Sequence, residues 1–211
     1  LQALSHRSQG AINTERLEAF ATEFGVPRTT TRFDDLLAMD DVDIIDICTP
    51  PMLHRPQILA ALAAGKHVIC EKPLVGSLAD MDEIIAAEQV AKGRLMPILQ
   101  YRYGDGVRQV KAIIDAGIAG KPYVGTAETF WKRGPDYYAE PWRGKWASEL
   151  GGVLMTHSLH IHDLFMFLMG PVDRLFGRVA TRVNDIEVED CVSASCELRS
   201  GALASLTATL G

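Results

Sequence analysis

The chain has 211 residues, 47% of them hydrophobic, and a formal net charge of −6. That length accommodates one large domain or two small ones with a sizeable core. The acidic balance, with no basic stripe and no run of like charges, argues against nucleic acid or an anionic membrane as partner, and no apolar stretch approaches the ~20 residues needed to cross a bilayer.

In chain order, residues 1–4 read as the end of a strand. No methionine or signal peptide precedes them, and residues 202–210 read as a strand with nothing after it, so the expectation is a fragment of a longer protein. A helix is predicted over 14–24: Asn13 is a good N-cap, Leu17, Phe20, Ala21 and Phe24 share a face, and Gly25 stops it. A short helix follows over 34–39. Residues 42–48 hold too many consecutive apolar side chains for a half-exposed sheet and predict a central parallel strand, broken by Thr49-Pro50-Pro51. Then come a helix near 56–64 ending at Gly65, a strand over 66–70, a helix opened by the capping-box-like pair Ser77 and Asp80 and reaching about residue 92, and a strand over 95–100. This alternation predicts a doubly wound parallel sheet, an α/β class.

The pattern then changes. A helix over 107–116 leads to a strand over 123–131, a polar, aromatic loop over 132–149, and one helix over 152–169. Strands over 172–183, 188–198 and 202–210 follow, the last two joined at Arg199-Ser200-Gly201. Strands in succession predict a second, α+β domain with an open, mainly antiparallel sheet. The boundary falls near Gln100, giving domains 1–99 and 100–211. The four cysteines (Cys48, Cys70, Cys191, Cys196) form no C-x-x-C pair; Cys48 and Cys70 end buried-looking strands, and all four read as reduced core thiols of a cytoplasmic protein.

Chemistry concentrates in a few places. Glu71-Lys72-Pro73 ends an apolar strand, where open α/β sheets bind ligands; spacing alone is equally compatible with a surface ion pair. Thr49, Pro50 and His54 follow the preceding strand at its carboxyl end, although Pro-Pro is first of all a loop former. The near match to a glycine loop, Gly104-Asp105-Gly106, reads as a turn that starts a helix. Ser5 and Arg7 lie where an acid would hold a ribose hydroxyl; the arginine leans towards NADP, and a plain polar loop is the other reading. On the long helix, Thr156, His160 and Asp163 share one face at 100° per residue, with His157 beside it and His162 elsewhere. A histidine suits proton exchange near neutral pH, and Asp163 is placed to fix its tautomer. The spacing is not H-E-x-x-H and no further ligand is evident, so no metal is expected. Trp142-Arg143 suits stacking on a planar ring or gripping an anion, or is simply a solvated loop.

The runs V-D-I-I-D-I-C-T-P-P-x-x-H, A-A-G-K-H-V-I-C-E-K-P-L and G-G-V-L-x-x-x-x-x-H-x-x-D together resemble the Gfo/Idh/MocA family of nicotinamide-dependent oxidoreductases. The stretch R-G-P-D-Y-Y…W-R-G-K-W looks like the branch acting on sugars, sugar acids or nucleotide sugars. The resemblance implies a Rossmann domain whose glycine loop is absent from this chain, then an α/β domain whose open sheet often builds oligomers, here a dimer or tetramer. It implies NAD or NADP as cofactor, with Ser5, Arg7, Thr49, Pro50, His54, Glu71, Lys72, Trp142 and Arg143 on the cofactor side. Lys72 contacts the reacting hydroxyl, and His160 is the acid/base, the two meeting across one cleft. Arg102, Thr156, His157 and Asp163 face a sugar-like substrate. Thr156 stands where many members carry aspartate and others asparagine, which puts the proton relay in question. The expected reaction interconverts a secondary alcohol and a ketone; a redox-neutral, NAD-dependent glycoside hydrolase and a non-catalytic ligand-binding relative are the alternatives.

Overall fold

The computed structural model describes residues 4–5 and 14–211, with the side chains of Leu4 and Ser5 left undescribed. The proposed cap Asn13, Arg7 and the side chain of Ser5 therefore lie outside the described residues. The chain divides into two compact units, Leu1–Ile98 and Leu99–Gly211.

In the first unit, β1 (Leu4–Ser5) pairs in parallel with β2 (Thr29–Thr30), and α1 (Thr14–Glu23) lies between them in sequence. After α2 (Phe33–Leu37) come β3 (Ile44–Ile47), a 3₁₀ turn (Pro51–Leu53), α3 (His54–Ala63), β4 (His67–Cys70), α4 (Leu78–Val90) and β5 (Leu95–Pro97). Strands β3, β4 and β5 run parallel in that order, as the helix-strand alternation requires. Ile45, Ile47 and Val68 meet Ile58, Ala61, Leu62 and Ile84 in one core. The α4 start is reciprocal: Ser77 Oγ accepts from the Asp80 amide at 3.1 Å and donates to its carboxylate at 2.7 Å.

Three expectations are corrected here. Among the described residues β3 is not central: it pairs with β4 on one side only, and Ile44 is 54% exposed while Ile45 and Ile47 are 4% and 2% exposed. A run of apolar residues records a preference for extended backbone; it does not count the covered faces. Cys48, one residue past the strand, falls on the outward phase of the same alternation and is exposed, whereas Cys70 is buried. In α1 only Leu17 and Ala21 are buried; Phe20 and Phe24 are exposed and lie against each other, ring centroids 4.5 Å apart.

The second unit opens with a 3₁₀ turn (Gln100–Tyr103) and α5 (Asp105–Asp115), for which Gly104 is the cap, as the glycine pair implied. Then follow β6 (Val124–Phe130), α6 (Pro135–Tyr138), α7 (Trp146–Glu149), α8 (Val153–Thr156), α9 (Leu159–Met169), β7 (Val172–Ala180), β8 (Cys191–Leu198) and β9 (Leu203–Thr209). The sheet order is β6-β9-β8-β7; β7–β8 and β8–β9 are antiparallel and β6–β9 parallel. Phe165 of α9 is buried among Ala127, Ala194, Ala204 and Leu206, and the three small alanines let the helix settle on the sheet. No helix among the described residues is long and apolar enough to cross a membrane.

Two further expectations give way. The segment 132–149 is not all loop, since α6 and α7 form within it. The single helix over 152–169 is two, broken at His157, whose φ of −124° and ψ of −60° leave the helical region. At the break the Ser158 amide bonds Val153 O at 2.8 Å, five residues back, and its hydroxyl takes the same carbonyl at 2.9 Å, while Thr156 Oγ1 donates to Gly152 O at 2.7 Å. Hydroxyls bonded back to helix carbonyls weaken and bend a helix.

Two buried carboxylates beside β8 hold this region. Glu189 accepts from the amides of Gly152 at 2.9 Å and Leu154 at 3.1 Å, capping α8. A Cβ on Gly152 would lie 1.7 Å from Glu189 O, so no other residue fits that approach. Asp190 accepts from the amides of Arg182, Val183 and Asn184 at 2.7, 2.9 and 2.8 Å. Burial pushes its carboxyl up, but these amides outweigh it and hold Asp190 below the usual range. Asp190→Asn is therefore expected to cost about 3 kcal/mol at neutral pH, on the scale of hydrogen bonds to a charged group. Because the folded-state value is depressed, that stability is present above the unfolded value near ~4 and is lost as pH falls through the folded one. Urea denaturation should show the variant's deficit closing in acid; a deficit independent of pH would refute the carboxylate's role.

Candidate active site

In the first unit the loops after β3 and β4 leave the carboxyl ends of neighbouring parallel strands. They are joined through His54. Its imidazole is completely buried, with Nδ1 2.7 Å from Pro73 O and Nε2 2.7 Å from Thr49 O. Thr49 Oγ1 donates to Gln57 Oε1 at 2.6 Å, fixing the β3 loop to α3. Glu71 continues the strand pairing through its amide to Ile47 O at 2.9 Å, and its carboxylate accepts from the Lys72 amide at 3.2 Å. Thr49, Pro50, His54, Glu71 and Lys72 are thus brought together on one end of the sheet. His54 serves as the internal clamp of that end, with its ring turned to backbone. Lys72 and Glu71 are half-buried. Cys48 lies beside them; although the residue is exposed, partial desolvation of its thiol and the neighbouring Asp46 push it up to about 11, so it stays protonated at neutral pH.

In the second unit, α9 carries His160 and Asp163 one turn apart, both buried. The 3₁₀ turn holds them with two consecutive residues. Tyr101 stacks on His160, centroids 4.9 Å apart and planes at 21°. Arg102 grips both oxygens of Asp163, Nε lying 2.6 Å from Oδ2. This bond raises the Arg102 pKa further. Asp163 was expected to fix the histidine's tautomer; its carboxylate goes to Arg102 instead, because a guanidinium matches both oxygens at once. Tyr101 is the residue that sequence reasoning missed. Its only signal is its place next to Arg102.

At the helix break a chain of hydrogen bonds passes through His157. Thr156 Oγ1 spends its proton on Gly152 O and so accepts at 2.7 Å from His157 Nδ1–H. His157 Nε2 then accepts from Arg133 Nε–H at 3.2 Å. This network assigns His157 as the neutral Nδ1–H tautomer, since a second proton would face the arginine's own N–H. With the helix broken between them, Thr156 and His160 are not on one continuous helical face. His162 stands apart: its Nε2 has no hydrogen-bond partner among the described residues, and burial pushes its pKa down.

The Trp142-Arg143 pair lies inside the folded 132–149 segment. The Arg143 guanidinium sits 4.3 Å from the Trp142 ring and 3.8 Å from that of Tyr137, bonds the Tyr137 hydroxyl, and lies 3.7 Å from the buried carboxylate of Glu149. Glu149 also accepts from Gly144 N at 2.6 Å. Among the described residues no group of three or more His, Cys, Asp or Glu side chains is arranged to hold a metal.

Residues 9–98 match the oxidoreductase family with an NAD-binding Rossmann fold, and residues 107–211 match the GFO/IDH/MocA C-terminal domain. The chain is 31% identical over 199 residues to 1,5-anhydro-D-fructose reductase of Ensifer adhaerens, covering 93% of this chain and 59% of that protein. It is 26% identical over 175 residues to myo-inositol 2-dehydrogenase of Thermotoga maritima, covering 82% of this chain and 50% of that protein. Among solved structures, the WlbA dehydrogenase from Bordetella pertussis in complex with NADH and UDP-GlcNAcA superposes with a TM-score of 0.91 at 33% identity, over 100% of this chain and 59% of that one. The chain thus spans no more than 59% of the length of these three proteins.

Proposed function

We propose, for a chain that belongs to the Gfo/Idh/MocA family of oxidoreductases, that the whole protein interconverts a secondary alcohol and a ketone of a sugar, sugar derivative or polyol. Residues 1–99 contribute to dinucleotide binding and 100–211 to substrate binding and assembly. The observation that carries the reading is the end of the parallel β3–β4 pair, where His54 locks two loops together and Lys72 follows the strand. Such an end, with backbone groups and an ammonium and with Glu71 turned to its neighbour's amide, fits a nicotinamide ribose. NAD or NADP, when bound, supplies the hydride chemistry.

The protein's own contribution is orientation and charge. Lys72 steadies the developing alkoxide, and His160 takes or returns the hydroxyl proton. Thr49, Pro50 and Glu71 border the cofactor, and Trp142 with Arg143 forms a preset planar surface for its nicotinamide end. Ser5 and Arg7 belong to the ribose end of the reading. His157 and Thr156 shape the substrate side, and Arg102 with Asp163 keeps α9 in place beneath it. The relatives named as sugar and polyol enzymes support the substrate class, and the NADH complex of the WlbA dehydrogenase supports the cofactor.

Assembly as a dimer or tetramer is part of the same proposal. Strand β7 edges its sheet and leaves Leu175, Phe176 and Val179 exposed by 60%, 70% and 57%, more apolar surface than a lone strand normally shows water. The reading also places the protein in the cytoplasm with free thiols, which cell fractionation would check.

The test is a panel of sugars, polyols and sugar acids offered to the full-length protein with NAD and with NADP, following reduced cofactor. Turnover of at least one panel member is expected, from a particle that sediments as a dimer or tetramer. Sugar released without net reduction of cofactor would replace this reading with the redox-neutral hydrolase. Binding without any turnover would replace it with a ligand-binding relative.

A further inference from the structure

The guanidinium of Arg133 is half-buried and held from several sides. Its Nε donates to His157 Nε2 at 3.2 Å and its Nη1 to Lys132 O at 2.9 Å. The guanidinium carbon lies 5.1 Å from the Tyr137 ring centroid and 5.8 Å from that of Trp131. An arginine has five N–H donors, so donors remain beyond these two bonds. What is missing is a counter-charge. Among the described residues no carboxylate oxygen lies within 4.0 Å of Arg133.

The neighbouring charges sharpen the point. The Tyr137 ring carries a second guanidinium, Arg143, on which Glu149 already acts at 3.7 Å. His157, which receives the Arg133 hydrogen bond, is neutral in the network that ends on Gly152 O. The cluster therefore holds two guanidiniums for one carboxylate, around a shared phenol. Like charges so arranged repel, and an anion beside Arg133 relieves them. The arginine is also preorganised, its plane set by the imidazole and the rings, so little rotamer freedom is lost when it binds. The His160 amide bonds to His157 O at 3.4 Å, which puts the relay one helical turn from the proposed acid/base.

Resting on the sugar-oxidoreductase reading above, we propose that Arg133 binds an oxyanion substituent of the substrate, a carboxylate or a phosphate monoester. The substrate class narrows from sugars in general to acidic ones. His157 and Thr156 act as positioning residues, holding the guanidinium through the imidazole.

The experiment uses the full-length protein with reduced cofactor bound. Calorimetry compares D-glucuronate, glucose and glucose 6-phosphate against wild type, Arg133→Gln and Arg133→Lys. Wild type is expected to bind one acidic sugar about 10- to 100-fold more tightly than glucose, the worth of a charge-assisted hydrogen bond. Arg133→Gln removes that ratio, and Arg133→Lys restores part of it. Preference for glucuronate identifies a carboxylate, and preference for the 6-phosphate a phosphate. Equal binding of acidic and neutral sugars by wild type overturns the inference, as does an acidic preference that survives in Arg133→Gln. The turnover panel stays separate. An acidic preference with no oxidation would sink the dehydrogenase reading and leave the anion site standing. Oxidation of neutral sugars with no acidic preference would do the reverse.

Discussion

Lys72→Ala in the full-length protein is expected to lower kcat by about 10²–10³-fold, the cost of removing one preset donor from a developing oxyanion. The loop that carries Lys72 is held by backbone and by its neighbours: Glu71 is paired to Ile47 O, the Glu71 carboxylate takes the Lys72 amide, and His54 holds Pro73 O at 2.7 Å. These contacts run through backbone and neighbouring side chains, and they remain when the ammonium is deleted. Cofactor affinity, measured by NADH titration, and the melting temperature should stay near wild type. Lys72→Arg should not restore activity, because a planar fork does not replace a compact point charge. Turnover close to wild type in Lys72→Ala would remove the assignment. His54→Ala gives a useful contrast, since it opens the clamp and should lower stability and turnover together.

His160→Asn is the second large effect. Loss of a general acid/base typically costs about 10²–10⁴-fold, and here the loss should come with the disappearance of a limb of the pH–rate profile. The imidazole is buried and stacked on Tyr101. Asparagine keeps a polar group of similar reach, so cofactor binding should persist. His157→Asn separates the two histidines. His157 is fixed as a neutral link between Arg133 and Thr156, so its replacement should disturb substrate affinity more than the shape of the pH profile. A limb that survives in His160→Asn and vanishes in His157→Asn would exchange their roles. Thr156 bears on the size of the effect. Its hydroxyl is uncharged and its proton goes to Gly152 O, so it gives an imidazolium none of the support that a carboxylate supplies.

The parallel first sheet, the mainly antiparallel character of the second and the Ser77 cap follow from patterns read along the chain. Strand and helix periods, glycine stops and capping residues act through the nearest few residues, and those are visible in one dimension. The roles proposed for Lys72 and His160 have the same local origin: each sits in a short run whose residue types carry the resemblance. What the tertiary structure alone decided are the partners. Arg102 takes Asp163 from sixty-one positions away, Tyr101 covers His160, His54 ties Thr49 to Pro73, and Arg133 reaches His157. The helical count that put Thr156 and His160 on one face failed because the Ser158 amide and hydroxyl both turn back to Val153 O, and the helix breaks at His157, an outcome periodicity does not record. Which apolar face is covered, as at Ile44, likewise depends on what packs there. Local conformational preference is a property of the segment; pairing, burial and charge balance are properties of whatever the folded chain sets beside it.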